Sequence, residues 1–148
     1  MTVTMEVTGF AELERQLLQL KRSTSKGVAR RAMKKSMKPV LDTAEALWPG
    51  DTDAFQMSSR ISRSQPRPPS GPSVVNMHVG SAVPHAHLVE FGTAPRYHKG
   101  GRYTGSVAPN PVLQTAWDIN KAAMLSRLKK ELGEEIRRSI ERARKRAG

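Results

Sequence analysis

The chain has 148 residues, of which 37% are hydrophobic and 5% aromatic, so it is long enough for one domain with a modest core. Its formal net charge of +12 predicts a polyanionic partner: nucleic acid, an acidic protein surface or an anionic membrane surface. The chain has no cysteine, which excludes disulfides and thiolate chemistry, and no run approaches the ~20 apolar residues of a membrane span.

The first twenty residues predict a short strand and then a short helix. Apolar and polar residues alternate from Thr2 to Thr8, which is the period of a strand. After Gly9, four apolar residues follow at steps of three and four, which is the period of an amphipathic helix. They are Phe10, Leu13, Leu17 and Leu20.

A second helix is predicted from about Ser25 to Leu47, with Pro39 in the middle of its apolar pattern. Proline lacks the backbone N–H and clashes with the preceding turn, so we expect it to kink the helix or split it in two. No acidic residue lies between Lys21 and Pro39. The first half of the helix carries a row of cations at four-residue spacing, named here the basic stripe: Lys26, Arg30, Lys34 and Lys38, with Arg31 and Lys35 beside it.

The middle of the chain is polar and predicts little regular structure. Apolar residues between Phe55 and Ile61 indicate a weak edge strand, and residues 64–72 are typical of a polyproline-like linker. Val75, Met77 and Val79 alternate with other residues and predict a second strand.

The run from His85 to Thr93, H-A-H-L-V-E-F-G-T, is the one dense apolar cluster that contains a single acidic residue. We name it the elbow, because Gly92 allows a positive φ and a sharp turn. Its length is compatible with a third strand or with a short helix. A carboxylate among apolar neighbours needs a cation or several N–H donors, and we expect Glu90 to pair with a distant Arg or Lys, in the same copy or in a neighbouring one. The alternative is an ordinary strand end with a partly exposed glutamate.

The last third of the chain predicts a loop and then a long helix. Residues 94–109 are rich in Gly, Tyr and Arg, and we expect a mobile loop with Lys99 and Arg102 near its tip. Asn110 is predicted to cap a helix that starts with Pro111 and ends near Lys145. The basic tail, residues 142–148, is expected to fray or project.

No catalytic or metal-binding pattern is recognisable. The four histidines, His78, His85, His87 and His98, have no cysteine partner and no two-His helix spacing, so we expect no metal. There is no Gly-x-Ser-x-Gly sequence and no phosphate-binding loop motif, and the Asp51 and Asp53 carboxylates fit a solvated turn. We therefore expect no cofactor and no enzymatic activity.

Three motifs, in order and over nearly the whole chain, carry a resemblance to a known family. They are the start Thr8-Gly9-Phe10-Ala11-Glu12-Leu13, the central Ala86 and Val89-Glu90-Phe91-Gly92-Thr93, and the proline-led approach to the last helix from Pro109 to Ala116. In these the chain resembles the HK-ninety-seven-type, gp ten-like tail-component family, the tail-completion or neck proteins of long-tailed phages.

The resemblance implies an α+β fold in which a small antiparallel sheet packs against two main helices, a kinked second helix and a long C-terminal helix, with a short N-terminal helix added. The whole chain, 1–148, would form one tail-completion domain. By the same resemblance, copies are expected to form a ring, with a hexamer favoured and a dodecamer as the alternative, at the head–tail junction of a phage, prophage or gene-transfer particle. The implied partners are the head–tail connector or stopper and the tail terminator or tail tube proteins. The chain would be in the host cytoplasm during assembly and in the virion afterwards, without membrane contact.

Two sets of residues are the predicted contact sites of such a ring. The subunit interface is predicted at the elbow: His85, His87, Val89, Glu90, Phe91, Gly92 and Thr93. Contact with phage DNA in the lumen, or with an acidic partner, is predicted at Lys26, Arg30, Lys34, Lys38, Lys99 and Arg102. The alternative function is a free nucleic-acid-binding protein that holds phosphates through its basic helices without reading sequence.

Overall fold

The computed structural model describes residues 11–50, 53–71, 74–81 and 83–148. The strand predicted at Thr2–Thr8 lies outside them. The described elements, in chain order, are α1 (Ala11–Leu18), α2 (Arg22–Leu47), β1 (Phe55–Ser58), β2 (His78–Ser81), α3 (Ala86–Phe91), β3 (Arg96–Tyr97), β4 (Tyr103–Gly105) and α4 (Val112–Ala147).

The long helices α2 and α4 pack antiparallel and bury two separate apolar clusters. At one end, Val40 and Ala44 of α2 meet Val112 and Ala116 of α4. At the other end, the first half of α2 meets the second half of α4 through Val28, Ala32, Leu132 and Ile136. Alanine at several of these positions lets the helix axes approach closely.

The short helix α1 covers the second cluster. Leu13, Leu17 and Leu20 pack against it, as their helical spacing predicts. The Ser25 hydroxyl donates a hydrogen bond of 2.7 Å to the Leu17 carbonyl and ties α1 to the start of α2. These contacts place α1 beside the C-terminal half of α4.

Of the two outcomes predicted at Pro39, a kink or a split of the second helix, the split is wrong, because α2 is one helix from Arg22 to Leu47. The residues that follow the proline are held from two sides. Val40 and Ala44 are buried against α4, and the Thr43 hydroxyl donates 2.7 Å to the Pro39 carbonyl. The buried amide of Asn120 on α4 donates to the Thr43 hydroxyl at 2.9 Å, so the packing with α4 outweighs the local cost of proline.

The strands form two small antiparallel sheets, and the α+β class is confirmed. Strand β1 pairs with β2 in the register Phe55–Ser81 to Ser58–His78. Phe55 is buried and meets the edge of Trp48, with ring centroids 5.4 Å apart, which anchors this sheet to the end of α2. The second sheet, β3 with β4, is separate from the first.

The last third of the chain is more regular than its sequence predicts. Residues 94–109, predicted as a mobile loop, contain the β3–β4 hairpin, in which Tyr97 pairs with Tyr103, and their mobility stays a prediction. Of the two alternatives for the tail at 142–148, fraying is wrong, because α4 continues to Ala147. The elbow, which was compatible with strand or helix, contains the short helix α3.

Candidate assembly interface

The elbow is fastened to the start of α4 by the carboxylate of Glu90. The backbone N–H of Leu113 donates to Oε2 at 3.0 Å, and that of Gln114 donates to Oε1 at 3.1 Å. Within one copy, the expected pairing with a distant Arg or Lys is wrong, because both carboxylate oxygens of Glu90 accept from backbone N–H groups. A cation from a neighbouring copy stays a prediction. Two main-chain donors and the positive end of the α4 dipole stabilise the charge instead.

With this bond pair, all four N–H groups that open α4 have an acceptor. The N–H of Val112 donates to the Asn110 carbonyl at 2.8 Å and that of Thr115 to the Pro111 carbonyl at 3.0 Å, while Glu90 accepts the two between them. The predicted cap by the Asn110 side chain is wrong: the cap position is Pro111 and makes no side-chain bond. The cap comes from a residue more than twenty positions earlier in the chain.

The neighbours of Glu90 complete the joint. The Val89 carbonyl accepts from the Asn110 N–H at 2.8 Å. Thr93 makes two bonds with Val107, because its N–H donates to the Val107 carbonyl at 2.8 Å and its hydroxyl accepts from the Val107 N–H at 2.9 Å. Gly92 has φ 71° and ψ −179°, a region essentially reserved for glycine. Residues 89–93 thus hold the elbow to the segment that leads into α4.

Replacing Glu90 with Ala should expose how much this cap contributes. Loss of both bonds and of the dipole interaction is expected to lower the free energy of unfolding by about 1–2 kcal/mol. Glu90→Gln keeps one amide oxygen as acceptor, so its free energy of unfolding should lie between those of the wild type and Glu90→Ala. Urea unfolding followed by circular dichroism measures the difference in unfolding free energy, with Glu141→Ala, a change at an exposed glutamate of α4, as the control with an effect near zero. Equal losses in both variants would contradict the cap.

Three members of the predicted interface face outwards. His85, His87 and Phe91 are exposed, and the Phe91 side chain is 77% exposed. Val89, Glu90, Gly92 and Thr93 are partly buried and engaged in the joint. The structure therefore brings the predicted residues together, but it leaves Phe91 as their one large apolar contact group. The interface itself stays a prediction.

The hairpin, residues 96–105, projects from the elbow and carries a cationic and aromatic surface that the sequence analysis described only in part. Tyr97 and Tyr103 are 63% and 54% exposed, with ring centroids 5.5 Å apart. Arg96, Lys99 and Arg102 are exposed, and none of them forms an ion pair with a described residue. No acidic residue occurs between Phe91 and Trp117, so this segment of the chain carries a positive charge.

The basic stripe of α2 is less available than its sequence suggests. Lys26 donates to the Gly71 carbonyl at 2.7 Å, and Lys38 pairs with Asp42 at 2.8 Å. Arg30 and Lys34 are exposed and lack an ion pair with any residue in the described ranges. Lys34 borders an open depression of about 380 Å³ with an apolar floor that includes Leu41.

The start of the basic stripe and the hairpin lie towards opposite ends of the helix pair. The N-terminal half of the stripe flanks Val28, which packs near Leu132, whereas the hairpin projects from the start of α4. Leu132 lies twenty residues after Val112, the first residue of α4, which is about 30 Å along the axis at the rise of an α-helix. Lys26 and Lys99 therefore do not belong to one continuous binding surface.

Glu135 on α4 forms ion pairs with the cations beside the basic stripe, which the sequence analysis did not predict. Its carboxylate accepts from Lys35 at 2.7 Å and from Arg31 at 2.8 Å, and Arg138 lies at 3.3 Å. The side chain is 4% exposed. The hydrogen bonds from Lys35 and Arg31 hold its pKa down at about 2 against the usual 4.5, so the group is charged at neutral pH. Its ion pairs with Lys35 and Arg31 fix the position of α4 relative to α2.

The described residues form neither a metal-binding cluster nor a membrane-spanning helix. No cluster of three or more His, Asp or Glu side chains in the described ranges is placed to hold a metal ion. None of the described helices combines the length and the apolar character that a membrane crossing requires.

Comparison with known proteins gave one match. The family model described as "Bacteriophage HK97-gp10, putative tail-component" matches residues 11–92, which is more than half of the chain. The matched region begins with α1 and ends at Gly92 of the elbow. No curated protein and no solved structure matches the chain.

Proposed function

The chain belongs to the HK97-gp10-like family of bacteriophage tail components, and from this premise we propose that it is a structural protein of the virion of a long-tailed phage, prophage or gene-transfer particle. The resemblance read from the sequence is thereby confirmed at the level of the family. The family match across α1, α2 and most of the elbow is the observation that carries the proposal.

In the proposed arrangement, copies form a closed ring at the head–tail junction, which completes the upper end of the tail and joins it to the head connector. A closed ring needs a heterologous interface, in which two different surfaces of neighbouring copies meet. The exposed Phe91 and the hairpin with Tyr97 and Tyr103 support one half of such an interface, because exposed aromatic and arginine side chains are enriched in protein contacts. The flanking ring proteins, connector or stopper above and terminator or tube below, would bind the remaining faces.

We also propose that the chain acts by binding and not by catalysis. The one carboxylate of the central motif, Glu90, has both oxygens engaged by backbone N–H groups and so is not free as a general base. The exposed His85 and His87 lie beside it on a short helix and face outwards. This arrangement supports a joint between elements.

Deletion of the gene tests the proposed role directly. Heads filled with DNA and tails should both accumulate, but they should not join, and infectivity should fall by several orders of magnitude. Electron microscopy counts joined particles, and expression of the wild-type chain in trans should restore them. Joined, infectious particles in the absence of the protein would contradict the proposal.

The alternative, a free nucleic-acid-binding protein, is favoured by one observation: the exposed cations at the hairpin and on the outer side of α2 that form no ion pair with a described residue. Each phosphate contact contributes a slope of about −0.9 to the logarithmic dependence of affinity on salt. Tight binding of the isolated chain to duplex DNA with a steep slope of this kind would favour the alternative over the structural role.

A further inference from the structure

We propose that the hairpin end of one copy docks on the outer face of α1 in the next copy. This inference rests on the proposed ring, and it names the two surfaces that would meet. The donor surface consists of Phe91 and the hairpin, with its two tyrosines and three cations. The acceptor surface, named here the α1 face, consists of Glu14 and Leu18.

The donor surface combines apolar area with unbalanced charge. Phe91 is 77% exposed, more than either tyrosine of the hairpin, and Val107 beside the elbow is 37% exposed. The backbone pair between Thr93 and Val107 joins the two chain segments that frame the hairpin, so these side chains belong to one region. Such a surface is costly to leave in water, and it requires a partner with apolar area and negative charge.

The α1 face has the complementary character. Leu18 is 76% exposed, and Glu14 lies one helical turn before it on the same side of α1. Glu14 is exposed and forms no ion pair with a described residue, whereas Glu12 is shared with Arg15 at 3.4 Å. The inward-facing Leu13 and Leu17 already pack on the second cluster, so α1 is held by the domain while Leu18 on its outer side is largely exposed.

Three other exposed acids, Asp42, Asp118 and Glu141, are weaker candidates for the acceptor. Asp118 is engaged by Lys121 at 3.0 Å and by Gln114 at 3.1 Å, and it lies at the same end of α4 as the hairpin. Asp42 is paired with Lys38. Glu141 is surrounded in sequence by arginines, so its own neighbourhood is already positive.

The positions of the two surfaces dictate how copies associate. Leu13 of α1 lies against Gly133 of α4, and the hairpin projects from the start of the same helix, about 30 Å away along its axis. Since the two surfaces are at opposite ends, one copy cannot bring its own hairpin onto its own α1. The docking is therefore head to tail, and repeated head-to-tail contacts close into a ring when the rotation between copies allows it.

Because the chain contains no cysteine, the contact can be mapped with introduced thiols. The double variant Glu14→Cys/Lys99→Cys, treated with a short bis-maleimide, should give a ladder of covalent oligomers. Each single variant should stop at dimers, since it carries one thiol per copy. The matched control is Glu141→Cys/Lys99→Cys, which moves the first thiol to an exposed acid outside the α1 face and should give no ladder.

Charge reversal supplies a second readout in the purified chain. Lys99→Glu and Glu14→Lys should each weaken self-association by about tenfold in light scattering or sedimentation at low salt, and the double reversal should restore most of it. Restored self-association in the double variant would support the docking, because two substitutions at sites that do not contact each other would weaken self-association additively.

The outcomes separate this inference from the proposed ring. Oligomers that neither reversal weakens would overturn the α1 docking and leave the ring in place. A chain that stays monomeric at low salt would also overturn the docking, while the ring is judged by the deletion experiment. If Lys99→Glu abolished binding to duplex DNA and left self-association unchanged, the hairpin would be a DNA contact and the docking would be wrong.

Discussion

Glu135→Gln is expected to lower the free energy of unfolding by about 2–3 kcal/mol at neutral pH. The carboxylate is buried, and its charge is balanced by Lys35 and Arg31 from α2 and by Arg138 one turn on. Removal of one member of a buried ion pair commonly costs 3–5 kcal/mol. Here the loss should be smaller, because Arg31 and Lys35 are 46% and 42% exposed and can turn to solvent.

The same group predicts how stability changes with pH. Its pKa is about 2 in the folded chain, below the ordinary 4.5, so the unfolded chain takes up the proton first as the pH falls. The stabilisation is complete above about pH 5 and is lost as the pH falls from 4.5 towards 2. The difference in unfolding free energy between wild type and Glu135→Gln should therefore shrink across this window, by about 2–3 kcal/mol after solvent screening is allowed for.

A neighbouring residue gives the matched control. Glu134 is one position earlier, is 29% exposed and lies 3.8 Å from Arg138. Glu134→Gln should cost less than about 1 kcal/mol, as is usual for pairs of this kind. Urea unfolding at several pH values compares the two variants. Equal effects of the two substitutions would show that the buried cluster does not fix the relative position of the helices. The same would follow if the difference in unfolding free energy between wild type and Glu135→Gln stayed constant down to about pH 2.5.

The long helices and their inner faces were predictable from the sequence because they depend on periodic burial. The apolar stripes of α2 and α4 include Ala32, Ala44 and Ala116, and these are fully buried in the structure. The signal for Glu135 was also present, since it lies three residues after Leu132 on the inner face of α4. A charged residue on such a face requires a partner, and α2 supplies the unbalanced cations.

Other features could not be derived from residue types. The pattern shows that Glu90 needs compensation for its charge, but it does not show whether side chains or backbone N–H groups provide it, because every residue except proline carries the same donor. The hairpin has only two tyrosines to mark its strands, and both are exposed, so no alternation towards a core is visible. Pro39 lowers local helix propensity, but the buried contacts with α4 decide the outcome.

Gly92→Ala is expected to be the most damaging single change at the elbow, with a loss of about 3 kcal/mol or more. A Cβ at this position would lie 2.7 Å from the Val107 carbonyl oxygen and 2.8 Å from the Pro109 nitrogen, so it would meet backbone atoms that cannot rotate away. The residue also has φ 71° with an extended ψ, which strains any side chain. Relief of the clash would pull Thr93 away from Val107 and disturb the bonds between Glu90 and α4.

Gly101→Ala separates the clash from the backbone strain. Gly101 has φ 81° at the hairpin tip, and nothing lies within 4 Å of the position that its Cβ would take. Only the strain remains there, about 1–2 kcal/mol, and the open tip can relax part of it. Thermal unfolding and hydrogen exchange at Leu113 and Gln114 compare the variants: Gly92→Ala should remove protection of these two N–H groups, and Gly101→Ala should not. Equal behaviour of the two variants would mean that the elbow does not hold the start of α4. Because the hairpin projects from the same region, it would then lack the fixed base that docking between copies requires.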